Sequence, residues 1–176
     1  MSRGFVKESD FEEAPVIPQR AELPAGATNY VTARGLRLLN EEYAALEAER
    51  IDLAIKTDNE ARRQLIVVEG RMRLLQGRIA SARPLEADEV DTERVRFGAT
   101  VTFSILDGPI KGQTRTLTIV GVDEANVREK RIAFISPLAR ALTGTAVGET
   151  ATLELGARKQ RMTVKAIAYE KEPSRE

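Results

Sequence analysis

The sequence predicts an α+β protein in which an antiparallel two-helix coiled coil precedes a small, mainly antiparallel sheet domain with one short helix. Three observations predict it. Apolar residues, interrupted once by Arg50, step alternately by three and four through residues 36–53 and again through 65–82, the spacing of a paired helical seam. Near residue 100 the period changes to two, with Val101, Phe103 and Ile105 alternating with Thr100, Thr102 and Ser104, as in a half-buried strand. The stretch PLARALTG has proline at its opening and Gly144 at its close, the punctuation of a short helix.

Residues 1–28 hold three of the seven prolines. Their acids Glu8, Asp10, Glu12, Glu13 and Glu22 outnumber Arg3, Lys7 and Arg20. Such a segment has little to bury and is expected to be extended or disordered. Phe5, Val6, Phe11, Val16 and Ile17 are the residues by which it could dock on something else.

Residues 29–83 form the arm. Thr32 reads as the N-cap of a helix whose seam is Leu36, Leu39, Tyr43, Leu46, Arg50 and Leu53. Leu65, Val68, Met72, Leu75, Ile79 and Ala82 repeat the stepping, and Pro84 ends the second helix. Two helices of about 25 residues, each about 37 Å long and joined by a few residues, must pair antiparallel. Glu41, Glu42, Glu47 and Glu49 on the first, facing Arg62, Arg63, Arg71, Arg73 and Arg78 on the second, read as acid-to-base pairing across the seam, or less simply as a face for a polyanion. In the turn, Thr57 and Glu60 have the spacing of a capping box.

An acidic linker spans 84–93, and the sheet domain 94–170. Asp107-Gly108-Pro109 stops its first strand. Further strands are expected at 114–122, 131–135, 150–155 and 162–169, with a disordered end at 171–176.

Lysine plus arginine balance aspartate plus glutamate at 27 each, and cysteine and histidine are both absent. Disulfides, thiolate chemistry, histidine general bases and the usual zinc or iron ligand sets are thereby excluded. No apolar run reaches the roughly 18 residues of a membrane span, and the opening MSRGFVKESDFEE has acids where a signal peptide needs its apolar core. A cytoplasmic protein with no membrane partner is expected. A lone helix pair buries one narrow stripe per helix, so a stiff arm makes sense where it must reach into a groove or channel while the sheet domain grips the outside. That shape suits a docking protein better than an enzyme.

Specific strings then become informative. Val120-Gly121-Val122-Asp123-Glu124-Ala125, Ile135-Ser136-Pro137-Leu138-Ala139-Arg140-Ala141-Leu142, Gly144 and Gly148-Glu149 resemble the C-terminal signature of the bacterial Gre transcription elongation factors, GreA and GreB. Thr32-Ala33-Arg34-Gly35 and Glu69-Gly70-Arg71 are similar to the family's two arm helices. The resemblance implies an FKBP-like fold for the sheet domain and binding to bacterial RNA polymerase, the domain at the rim of the secondary channel and the arm inside it. It implies an accessory factor, not an enzyme, acting through the polymerase's own active site. Asp123, Glu124, Ser136, Pro137 and Leu138 would carry the polymerase contact, since adjacent acids can pair with arginines on a partner and a proline-started helix has free N–H groups. Read locally, the same acids belong to a turn and Ser136 is an N-cap.

The tip departs from the family pattern. Asp58 and Glu60 are the acids that could assist a magnesium ion shared in the polymerase active site; no cofactor of the chain's own is implied. If Asp58-Asn59 matches the family's Glu-Asn pair, Ile55 stands where the partner carboxylate belongs. Magnesium requires converging hard oxygens at about 2.1 Å, and one carboxylate is a weak anchor. Measured from Gly35 to Gly70, the arm lacks roughly seven residues per helix relative to the family, or about 10 Å of reach. The expected activity is therefore modulation of paused or backtracked complexes with weak or absent stimulation of transcript cleavage. A channel-blocking inhibitor is the alternative; a prolyl isomerase follows only from fold analogy; a general coiled-coil adaptor would leave the C-terminal strings unexplained. Lys111, Arg115, Arg128, Lys130, Arg131, Lys159, Arg161 and Lys165 could touch RNA phosphates, or be solvated strand edges. A monomer is expected.

Overall fold

The computed structural model describes residues 14–85 and 93–169. Expectations for Phe5, Val6 and Phe11, for most of the acidic linker and for the C-terminal end fall outside these residues. In order, the elements are β1 (Asn29–Val31), α1 (Ala33–Ala54), α2 (Asn59–Ser81), β2 (Ala82–Pro84), β3 (Ala99–Ile105), β4 (Thr114–Val120), a 3-10 turn (Val127–Glu129), β5 (Arg131–Ala133), α3 (Pro137–Leu142), β6 (Thr150–Leu155) and β7 (Arg158–Tyr169).

The arm's helices are 22 and 23 residues long. Leu39, Leu46 and Leu53 of α1 pack with Ala61, Val68, Met72 and Leu75 of α2, and Leu36, Tyr43, Leu65 and Ile79 flank them. Every predicted seam residue joins this cluster except Arg50, which is half-buried at its heptad position. Gln76 Nε2 donates to Tyr43 Oη at 2.7 Å, and Arg71 lies 3.9 Å from Glu42, so some acid-to-base pairing does cross the seam.

At the base, Val31 and Ala82 close the seam, and here the chain does something the sequence did not announce. Helix α2 stops two residues before Arg83, which as the residue preceding Pro84 is steered away from helical geometry. The freed segment becomes β2 and pairs parallel with β1, Asn29 opposite Ala82 and Val31 opposite Pro84. Buried Asn29 donates through Nδ2 to Arg78 O at 2.9 Å and Ser81 Oγ at 3.1 Å, covering an orphan carbonyl in the last turn of α2.

The second domain is a five-stranded sheet of order β5-β4-β3-β7-β6. Strand β3 alternates as predicted, burying Ala99, Val101, Phe103 and Ile105 against Ala139 and Leu142 of α3. Its other face carries a hydroxyl ladder: Thr100 to Thr118 and Thr102 to Thr116 at 2.9 Å, Ser104 to Thr114 at 3.1 Å. The antiparallel expectation is corrected at one pair, because β4 and β5 run parallel. Strand β7 begins at Arg158, four residues before the predicted start, and bulges opposite Thr102 and Phe103. Helix α3 opens as read, with Ser136 Oγ accepting from Ala139 N at 3.2 Å; Gly144 lies one residue past the cap Thr143, in the left-handed region at φ 87°.

Two carboxylates clamp the ends of this sheet. Asp107 accepts from the Arg161 guanidinium and Arg161 N, both at 3.0 Å, and the arginine side chain above all holds it below its ordinary value. Glu149 is held low first by the Ala146 N–H and then by Arg94. A carboxyl depressed in the fold contributes stability that is complete above its unfolded pKa, about 4, and disappears as pH falls through the folded value. The urea midpoint is expected to drop between about pH 5 and pH 3, and Asp107→Asn to flatten that dependence.

Candidate functional site

Two places gather the predicted residues, at opposite ends of the arm. At the tip, α1 ends at Ala54 and α2 starts at Asn59. The predicted capping box is corrected. Asp58 is the N-cap, its Oδ1 accepting from Ala61 N at 2.8 Å, while Glu60 accepts from Gln64 at 2.9 Å. Aspartate outranks threonine as a cap, and with the helix starting one residue later Glu60 moves to its second position, still at the positive end of the dipole. Ile55 is the C-cap of α1 and 80 % exposed. Among the described residues no group of three or more acidic side chains is placed to hold a metal ion. The tip therefore does not fit a magnesium site by itself.

The other end is the junction of arm and sheet. Parallel strands β4 and β5 end together, Val120 opposite Ala133. The chain leaves β4 into a turn closed by Glu124 N to Gly121 O at 3.2 Å, and leaves β5 beside it with Phe134 N donating to Val120 O at 2.9 Å. The turn carries Asp123 and Glu124; the neighbouring exit carries Ser136, Pro137 and Leu138. Parallel pairing is thus what brings both halves of the C-terminal signature to one end of the sheet, while Asp58 and Glu60 lie about 33 Å off, one helix length away.

The two acids expected to pair with a partner's arginines pair with arginines of this chain. The Glu124 side chain is 1 % exposed, and its Oε1 accepts from Arg131 at 2.9 Å and Arg34 at 3.1 Å. Its Oε2 accepts from the Thr32 hydroxyl, which in turn accepts from Gly35 N at 2.8 Å. The carboxylate thereby sits on the N-terminus of α1, where orphan N–H groups and the dipole favour an anion. Gly35 makes the approach possible: a Cβ there would stand 2.7 Å from Glu124 Oε2.

Asp123, with a side chain 8 % exposed, receives Arg20 Nε on Oδ1 at 2.9 Å. Arg78 Nε lies 3.1 Å from Oδ2, an ion-pair distance without hydrogen-bond alignment. The same Arg20 forks onto Glu42 of α1, at 2.9 and 3.0 Å. Burial disfavours the Arg20 charge, but the hydrogen bonds to Glu42 and Asp123 outweigh it and leave its pKa raised. So the segment from residue 14 is docked, through Arg20, on both the arm and the sheet domain. Arg20, Arg34, Glu42 and Arg78 were not singled out from sequence for these contacts; the lone arginine amid the prolines of the tail was the only hint.

Of the basic residues considered for RNA, Arg131 serves Glu124, Arg161 serves Asp107 and Lys159 sits 2.7 Å from Glu154. Tyr30, Phe97 and Phe134 pack on one another at 5.7–5.8 Å between centroids.

The described residues thus form a two-helix arm joined to a sheet domain through Glu124 and Asp123, with further acids at the arm's tip. Residues 90–169 match the family model for the C-terminal part of transcription elongation factors GreA/GreB. GreA of Desulfovibrio desulfuricans is 31 % identical over 139 residues, spanning 71 % of this chain and 84 % of that protein. GreA of Alkalilimnicola ehrlichii is 32 % identical over 155 residues, spanning 79 % of this chain and 96 % of the relative. The chain belongs to the GreA/GreB family of transcription elongation factors. Among solved structures, a GreA/GreB factor from Nitrosomonas europaea aligns over 81 % of this chain and 99 % of its own, at 17 % identity and a TM-score of 0.38. Assignment to the family rests on the sequence matches.

Proposed function

We propose that this chain docks on bacterial RNA polymerase at the secondary channel, inserts its arm, and modulates paused or backtracked elongation complexes with little or no stimulation of transcript cleavage. The observation that carries the second half is the tip. With Asp58-Asn59 matched to the family's Glu-Asn pair, exposed Ile55 takes the position of the second carboxylate, and Asp58 is engaged as a helix cap. Such a tip can occupy space and exclude water, but it offers no converging pair of acids. Exposed Ile55 also favours the related reading of a channel-blocking inhibitor. The isomerase reading loses support because that activity needs an open aromatic pocket; here three rings fill one another's faces and Phe103 is core.

Gel analysis of backtracked complexes tests this. Cleavage is expected to stay near the polymerase's intrinsic rate with the wild-type chain, and Ile55→Glu is expected to raise it. Asp58→Asn, which removes the charge and keeps an N-cap of similar rank, should change nothing. Strong cleavage by the wild type that Asp58→Asn or Glu60→Gln abolishes would sink the reading. Slowed elongation on complexes that are not backtracked would select the inhibitor.

A further inference from the structure

We propose that residues 14–27 are a displaceable strap that holds the docking acid Asp123 in cis, so that an arginine-bearing partner surface must displace Arg20 to seat. This rests on the polymerase-docking reading above and adds a regulator to it. The strap lies across both domains, yet among the described residues no backbone–backbone hydrogen bond joins residues 14–26 to the arm or to the sheet domain. It is held by side chains. Ile17 packs on α2 at Gly70, where a Cβ would stand 2.7 Å from Ile17 Cγ1, so that position must lack a side chain for the strap to lie flat. Arg20 then bridges Glu42 of the arm and Asp123 of the sheet domain, and Arg78 donates to Ala21 O. Val16, at 85 % exposure, adds almost no burial.

Such an attachment resembles an interface more than a core element. The bonds Arg20 makes, a planar fork on two carboxylates, are those a partner's arginine would make on the same acids. Oδ2 of Asp123 is enclosed with Arg78 Nε 3.1 Å away, so an arriving arginine reaches this acid through Oδ1, once Arg20 has left it. Beside Arg20 a cleft of about 340 Å³, lined by Pro18, Ala21, Glu42, Arg71 and Asp123, opens onto this acid. Strap and partner are therefore competitors for one carboxylate, and the affinity of the closed form is reduced by the fraction of time the strap is open.

Two substitutions release the strap from different sides while leaving Asp123 and Ser136 in place. Arg20→Ala removes the fork; Gly70→Gln adds a helix-favouring side chain where Ile17 must lie. Binding of each full-length chain to core RNA polymerase is measured by fluorescence anisotropy, with far-UV circular dichroism checking that helix content is retained. Each is expected to tighten binding about tenfold, as for a strap open about a tenth of the time, and the double variant no further than either alone. Asp123→Asn in the Arg20→Ala background is expected to erase the gain. Wild-type binding that Arg20→Ala leaves unchanged or weakens overturns the strap and makes Arg20 a brace. Absence of binding by every chain overturns the docking reading, and the strap with it.

Discussion

Glu124→Ala is expected to destabilise the protein by about 3–5 kcal/mol, the range for removing one partner of a buried, hydrogen-bonded ion pair. The carboxylate is enclosed and receives Arg34, Arg131 and the Thr32 hydroxyl. Its removal takes the 2.9 Å partner from Arg131, itself only 11 % exposed, and leaves the more distant Glu129 at 3.9 Å. Chemical unfolding would measure the loss. Because Thr32 and Arg34 belong to the arm and Arg131 to the sheet domain, the variant should also separate one transition into two. A double-mutant cycle of Glu124→Gln with Thr32→Val would then give a coupling above about 0.5 kcal/mol if the hydroxyl contact tightens the joint. A loss below about 1 kcal/mol would mean that the joint is held elsewhere.

Leu75→Ala is expected to cost about 2–5 kcal/mol and to fall almost wholly on the arm. Leu75 is fully enclosed, while much of the surface of both helices faces solvent. A two-helix seam has few neighbouring side chains that can shift to fill a hole, so the upper part of that range applies. Helical circular dichroism should melt earlier and so separate from the unfolding of the sheet domain. Unchanged melting of the helical signal would show that the arm draws its stability from the joint and not from the seam.

The seam and the strands were legible because each is a local periodicity: Leu39, Leu46, Leu53, Val68 and Leu75 follow the heptad, and Val101, Phe103 and Ile105 the pleat. The tip cap was legible in kind and wrong in residue, since Thr57 and Asp58 are adjacent candidates and the choice depends on where the helix starts. The junction was half legible. Family resemblance pointed to Asp123 and Glu124, but their partners include Arg20, 103 positions away from one, and Arg34, 90 positions away from the other. No periodicity or spacing reports a contact of that range. For the same reason the parallel pairings β1 to β2 and β4 to β5 were invisible, although the second decides which signature residues meet.

The β1 and β2 pair has a meaning for how such proteins vary. It sets the first and last residues of the arm side by side, at the roughly 4.8 Å spacing of neighbouring strands. Everything between Thr32 and Ser81 is therefore a cassette with adjacent ends. The sheet domain need not register how long the insert is. Seven residues gained or lost on both helices together would keep the seam in phase and change reach by about 10 Å, whereas a change on one helix alone would throw the seam out of step. Reach can drift in paired heptads under a fixed grip.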